Sequence, residues 1–382
     1  MSFPRYPEYK DSGVEWLGKV PAHWDFAPIK KVIALIESGV SVNSVDTPSV
    51  GDEPGVLKTS CVYAGKFDST ENEAVVPDEH HRVACPVVAN TLIVSRMNTP
   101  DVVGAAGLVS STNAKLFLPD RLWQVHFRDA EPNFVYYWTR TPSYRAQVEV
   151  ACAGTSSSMQ NLSQDAFRAF LLPLPQFAEQ AAIGRFLDRE TAKIDALIEE
   201  QQRLIELLKE KRQAVISQAV TKGLDPNVPM KDSGVEWLEK VPAHWQISRL
   251  KHATSHIIDC PHETPVYSAD GEFTVIRTAD LSDGRLDLSN AYRLDEVEYR
   301  QRTRRGALQA DDIVYGREGE RWGHAALVPE SPICCLGQRM MRFICNDEFV
   351  AAFLMWSLNS ETVYRQGQVD TVGATSTSPI RW

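Results

Sequence analysis

The chain has 382 residues, 43% apolar and 24% charged, with a formal net charge of −10. That length holds two or three domains with real cores, and the acidic balance argues against a protein that coats nucleic acid by bulk attraction. No apolar run approaches the ~18 residues of a membrane span, the N-terminus is polar and proline-broken rather than a signal peptide, and the seven cysteines show no CxxC pairing, which predicts a cytoplasmic protein with neither a disulfide framework nor a metal site.

In chain order, the first informative stretch is KDSGVEWLGKVPAHW at residues 10–24, because it returns as KDSGVEWLEKVPAHW at residues 231–245. Only Gly18 and Glu239 differ. Chance does not produce such a match, so the chain carries an internal duplication. Each opening leads into a short helix-like segment, Ile29 to Glu37 and Ser248 to Ile257. Strand-like runs follow, bounded by turns: GVLKTSCVYAG, NTLIVSRMN, GAAGLV and LWQVHF in the first copy, EFTVIRTADL, DDIVYGR, HAALVP and MMRFIC in the second. Late in each copy comes an aromatic, helix-like run and then a Gly/Ser/Thr turn, Gly154–Ser158 and Gly373–Ser378.

Between the copies lies Pro175 to Thr221, dense in Ala, Leu, Glu, Gln, Lys and Arg, with one glycine and no further proline. Those residues lose least on entering a helix. A 4,3 spacing through Leu187, Thr191, Ile194, Ile198, Gln201, Ile205, Leu208, Arg212, Val215 and Ala219 predicts a coiled-coil seam on a helix ~65 Å long. LDPNVPMKDSG then ends it with two prolines. The expected fold is α+β: two similar mixed α/β domains, residues 1–174 and 223–382, separated by a long coiled-coil-forming helix at 175–222. The copies are unequal, since NLSQDAFRAFLLPLP and the long helix follow the first Ser/Thr turn and only Pro379-Ile380-Arg381-Trp382 follows the second.

The two openings, the run GTSSSMQNLSQDAFRAFLLPLPQFAEQAAI and the heptads after it resemble the DNA-specificity subunit of Type I restriction–modification enzymes, over nearly the whole chain and in the same order. The resemblance departs at the C-terminus, where the second long helix of the family has no counterpart. It implies a non-catalytic protein whose two variable domains each read one half of a split duplex DNA target. It also implies docking of methyltransferase subunits that use S-adenosylmethionine on adenine N6, and of a motor-nuclease subunit. Consistently, the chain has no Pro-Pro, no GxxxxGK[ST] and no GxGxxG, so no catalytic residue and no cofactor site of its own is expected. An assembly or decoy subunit that docks a methylase or another specificity chain is the alternative reading. The seam residues Leu187, Ile194, Ile198, Ile205, Leu208 and Val215 need a cover, which is a second copy of the chain, another subunit, or residues of the two reading domains folded back on them, the first two being favoured.

Base edges are read by Arg on guanine and Asn or Gln on adenine, while phosphates take Lys, Arg, hydroxyls and amides. In the first copy these criteria select Arg96 and Asn98 at a strand end, with Lys58, Thr59, Ser60 and Lys66 as phosphate ligands; a solvated hairpin tip is the competing reading. In the second copy they select Arg317 and Arg321 in the run GREGERWG, with Arg277 and Thr278 placed like Lys58 and Thr59. There the competitor is a tight acidic–basic turn closed by internal salt bridges. Arg300, Arg302, Arg304 and Arg305 form the densest basic run and read as a phosphate stripe or a solvated face, with Arg302, Arg304 and Arg305 as the candidate contacts. Thr155, Ser156, Thr375 and Ser376 can hold phosphate or cap a helix. The tryptophans Trp16, Trp24, Trp237 and Trp245 of the openings suit packing or docking better than base stacking.

Overall fold

The computed structural model describes residues 6–13, 18–152, 158–236, 238–282, 284–319, 321–330 and 333–369. The chain divides into two compact units, Met1–Ile198 and Glu199–Trp382, and the boundary falls within one unbroken helix, Phe177–Lys222. The helix stops where Gly223 takes φ +76° and its N–H reaches back to the Ala219 carbonyl at 3.2 Å. Glycine suits this left-handed closing residue because an L side chain strains the backbone at that φ.

The first unit is built on a four-stranded antiparallel sheet in the order Ala106–Leu108, Leu92–Ser95, Leu122–Phe127, Ile33–Ser38. A second sheet pairs Gly55–Leu57 in parallel with Asn113–Phe117. One face of the four-stranded sheet meets the helices Pro132–Thr139, Pro142–Cys152 and Gln164–Ala169 in a core that includes Trp123, Phe134, Trp138, Tyr144 and Phe167. The strand Leu171–Leu174 then pairs with Asp25–Pro28, directly after the shared opening, so the entry into the long helix is tied to the start of the first copy.

The second unit repeats this plan. Its four-stranded sheet runs Ala325–Leu327, Ile313–Gly316, Met340–Cys345, Thr254–Asp259, the same order at sequence offsets of 218 to 221. Phe273–Ile276 pairs in parallel with Cys334–Leu336, as Gly55–Leu57 does with its partner. The helices Ala351–Leu358 and Glu361–Val369 stand where Pro132–Thr139 and Pro142–Cys152 stand in the first. The shared openings also match locally: Gly18 has φ +64° and its one differing counterpart, Glu239, has φ +51°.

Two expectations are corrected. Ile29–Glu37 and Ser248–Ile257 are not helices beyond one short turn, at Ile29–Lys31 and Leu250–Ala253; the rest is strand, Ile33–Ser38 and Thr254–Asp259. The reason is a β-bulge. Register slips between His126 and Phe127 opposite Leu35 and Ile33, and it slips again opposite Thr254 and His256. An extra residue turns the two-residue rhythm of a strand into the three-residue spacing of Ile33 and Ile36. Likewise GVLKTSCVYAG and EFTVIRTADL each hold only a short strand, then a 3₁₀ turn at Thr59–Val62 or Thr278–Asp280.

Candidate nucleic-acid interface

The candidate residues gather at one corner of each four-stranded sheet. Arg96 and Arg317 follow directly on the equivalent strands Leu92–Ser95 and Ile313–Gly316, 221 residues apart. Each backbone N–H is bound by the carbonyl of another arginine, Arg96 by Arg121 at 3.0 Å and Arg317 by Arg339 at 2.9 Å. Arg121 and Arg339 are exposed and immediately precede the equivalent strands Leu122–Phe127 and Met340–Cys345. Each unit thus presents the same two-arginine corner. Arg121 and Arg339 are 218 residues apart and match through the equivalent strands they precede, whereas a search for local basic runs passes over isolated arginines.

The two corners are finished differently. The Arg96 side chain has a buried Nε without a hydrogen-bond partner among the described residues. Arg317 also has an unpartnered Nε, yet its Nη1 pairs with Asp259 Oδ2 at 3.1 Å, its Nη2 donates to His262 Nδ1 at 3.3 Å, and Glu318 lies at 3.8 Å. Of the internal salt bridges expected as a competitor, Arg317 shows only the 3.8 Å contact to Glu318 among the described residues, and its nearer partners come from outside the run. Asp259, Cys260 and His262 bring metal-type donors within 4.8 Å of one another. Asp259 Oδ2 is already engaged by Arg317 and, at 3.2 Å, by His262, and burial foremost pushes the Cys260 thiol up to about 11. These contacts favour the Arg317 clamp over a cation.

Beside each corner sits the 3₁₀ turn. In the second unit Arg277 forms a bidentate pair with Asp280 at 2.8 and 3.2 Å and lies over the Tyr292 ring at 3.8 Å. The hydrogen bonds it donates to the Asp280 carboxylate raise its basicity further, so this is a fixed cation. Thr278 packs against the corner, its Cγ2 3.3 Å from where a Gly316 side chain would begin. In the first unit Lys58 is half-exposed with Asp46 and Glu73 at 3.9 and 3.8 Å. Thr59 bonds the Tyr63 hydroxyl at 2.8 Å, and Ser60 donates to Glu71. Lys66 pairs with Asp195 of the long helix.

Asn98 and Arg302 are corrections. Asn98 is 8% exposed; its amide donates to Tyr63 and Ser95, and its oxygen accepts from the Thr99 N–H. No edge remains for a base, so Asn98 is a pin that holds the corner. Arg302 is also 8% exposed and donates to the carbonyls of Leu336, Glu263 and Pro261. The chain buries its guanidinium to satisfy loop carbonyls, so of the expected phosphate stripe Arg304 and Arg305 stay exposed, the latter donating to the Asp259 carbonyl at 3.3 Å. Arg321 is exposed and anchored to the Leu281 carbonyl at 2.8 Å. Thr155, Ser156, Thr375, Ser376, Trp16 and Trp237 lie outside the described residues.

Along the long helix Ile194, Ile198, Ile205, Leu208 and Val215 are 49–59% exposed, and Leu187 is half-buried. The seam is an open apolar stripe. No described helix is long and apolar enough to cross a membrane.

The chain thus holds two copies of one α+β unit, each with an arginine corner, and between them in sequence a long helix with an exposed apolar stripe. No family model matches the chain. Among curated proteins it is 24% identical over 313 residues to the Type I restriction enzyme StySPI specificity subunit of Salmonella potsdam, covering 78% of this chain and 62% of that protein. It is 22% identical over 312 residues to the EcoKI specificity subunit of Escherichia coli K12, with the same coverage. A chain from a solved type I R-M system, described for its complex assembly and conformational transition, shares the fold at a TM-score of 0.56, with 16% identity over 94% of this chain and 83% of that one. The protein is a homologue of the Type I restriction enzyme specificity subunits, and its match spans 62% of the length of the two named here.

Proposed function

We propose that the chain is a non-catalytic DNA-specificity subunit that reads a bipartite duplex target, one half-site per head, and positions adenine-N6 methyltransferase subunits in the cytoplasm. The observation that carries this reading is the arginine corner repeated in both heads, Arg96 with Arg121 and Arg317 with Arg339, in a homologue of specificity subunits. A planar guanidinium matches both the guanine edge and phosphate oxygens. With a net charge of −10, affinity rests on such local clusters and on partners rather than on overall attraction. S-adenosylmethionine belongs to the methyltransferase partner, and a motor-nuclease subunit can join the same assembly. The exposed seam of the long helix is the surface for a partner helix, from a methyltransferase or another specificity chain.

Co-expression with a Type I methyltransferase subunit and genome-wide mapping of N6-methyladenine tests the proposal. A split motif of two short half-sites that vanishes on deletion of this gene is the expected result; an unchanged methylome refutes it.

A further inference from the structure

The second unit carries an aromatic patch beside its arginine corner. Tyr267 and Tyr292 meet edge to face with ring centroids 4.7 Å apart, and they stay 40% and 50% exposed. Arg277 lies over the Tyr292 ring. The patch adjoins the corner, because a Cβ at Gly337, just before Arg339, would lie 3.6 Å from Arg277 Cγ. The duplication shows that it belongs to one head. Counted back from the two 3₁₀ turns, Val56 opposes Glu73, and Val275 opposes Tyr292, its N–H donating to the Tyr292 carbonyl at 2.9 Å. One place on the sheet thus holds a carboxylate facing Lys58 in the first unit and an aromatic ring under Arg277 in the second. Arg277 is not itself placed to read a base. Its Nε and Nη2 hold Asp280, and Nη2 gives its second N–H to the Asn290 carbonyl at 3.2 Å. Neither fork of the guanidinium then offers the paired donors that a guanine contact takes. What remains open to a ligand is the pair of rings, backed by a cation whose counter-ion, Asp280, is buried.

We propose that Tyr292, with Tyr267, is a specificity-determining contact that reads the 5-methyl group of a thymine in the second head's half-site, and that Arg277 is the positioning residue that braces the ring. Apolar side-chain surface contacts the thymine methyl in the major groove, a group that cytosine lacks. A half-exposed phenol ring beside the corner supplies such a face, and the guanidinium stacked on it holds the ring in place. Glu73 offers no apolar face, so the first head makes no such contact at this place. The inference rests on the reading of a split duplex target above and assigns part of that reading to named side chains.

The test uses the assembled complex and duplexes carrying the mapped target, with each thymine of either half-site replaced in turn by deoxyuridine, which lacks only the 5-methyl group. The parent complex should lose about four-fold in affinity at one such position, the factor for one buried methyl, and Tyr292→Phe should keep that loss. Tyr292→Glu installs the first unit's residue at an exposed place. It should bind the thymine and uracil duplexes alike at that position while any other position keeps its ratio, which a folding loss would not do. Arg277→Gln, which removes the brace, should bring the ratio below about two-fold. A scan that is flat for the parent overturns the proposal, as does one that Tyr292→Glu leaves unchanged. If Tyr292→Glu instead expels the methyltransferase from the complex with the scan unchanged, the patch is a protein surface and the proposal fails. A parent complex that discriminates at neither half-site refutes the underlying reading, and this inference with it.

Discussion

The duplication makes one buried pair open to a direct swap. In the first unit Thr91 and Gln124, 1% and 0% exposed, lie side by side on adjacent strands, with Thr91 Oγ1 donating to Gln124 Oε1 at 3.2 Å. The same two places in the second unit hold Asp312 and Arg342, whose side chains are 5% and 6% exposed and 2.6 Å apart. One copy fills the site with a neutral pair and the other with an ion pair. Asp312→Ala strands the Arg342 guanidinium, whose Nε is already unpartnered, and removes the acceptor for the Gln309 N–H at 2.6 Å. An uncompensated buried charge of this kind costs about 3–5 kcal/mol. Asp312→Thr with Arg342→Gln installs the first copy's pair and is expected to recover at least about 2 kcal/mol of that loss. Hydrogen exchange followed by mass spectrometry reads the outcome, with Leu92–Ser95 as internal reference for Ile313–Gly316 and Met340–Cys345. The single variant should speed exchange in the second sheet by roughly two orders of magnitude or more. A single-variant loss below about 1 kcal/mol, or a double variant as unstable as the single, refutes the reasoning.

Three further outcomes follow from local geometry. Burial acts to raise the Glu179 carboxyl, but hydrogen bonds from Tyr6, Trp24 and His23 outweigh it and hold the group below the ordinary carboxylate value. A depressed folded value means that its contribution is fully present above ~4.3 and is lost as pH falls through the folded value. Acid titration of the Trp24 environment should therefore show a transition that Glu179→Gln removes; an unchanged profile contradicts the assignment. Glu239 holds the left-handed backbone that Gly18 holds in the other copy, so Glu239→Gly is expected to stabilise the second unit by about 1 kcal/mol in chemical denaturation, and destabilisation counts against it. A Cβ added at Gly39 lies 1.6 Å from the Leu118 carbonyl oxygen, so Gly39→Ala should cost about 3 kcal/mol or more of first-unit stability. A thermal melt like that of the parent chain contradicts this.

The long helix and the two copies were legible because both are written in periodicity and repetition, which need no tertiary information. The Ile33–Ser38 and Thr254–Asp259 strands were not, because a bulge imposes a helix-like spacing on their apolar residues. Arg302 and Asn98 look like solvent-facing ligands in sequence. Their acceptors are backbone carbonyls, a tyrosine and a serine, and no side-chain pattern announces them. Arg317 was legible as a candidate, and its clamp by Asp259 and His262 was not, since those partners lie 58 and 55 residues away. The exposed arginines Arg121 and Arg339 emerge only when the equivalent strands of the two copies are matched.

The central claim is that each head reads its own half-site through its arginine corner. Its most direct test is binding of the assembled complex to duplexes randomised in one half-site or the other, comparing the parent chain with Arg96→Ala/Arg121→Ala and with Arg317→Ala/Arg339→Ala. The account predicts that each double variant loses about ten-fold or more in discrimination at one half-site and keeps it at the other. Equal weakening on all duplexes, with both half-sites still discriminated, would contradict it.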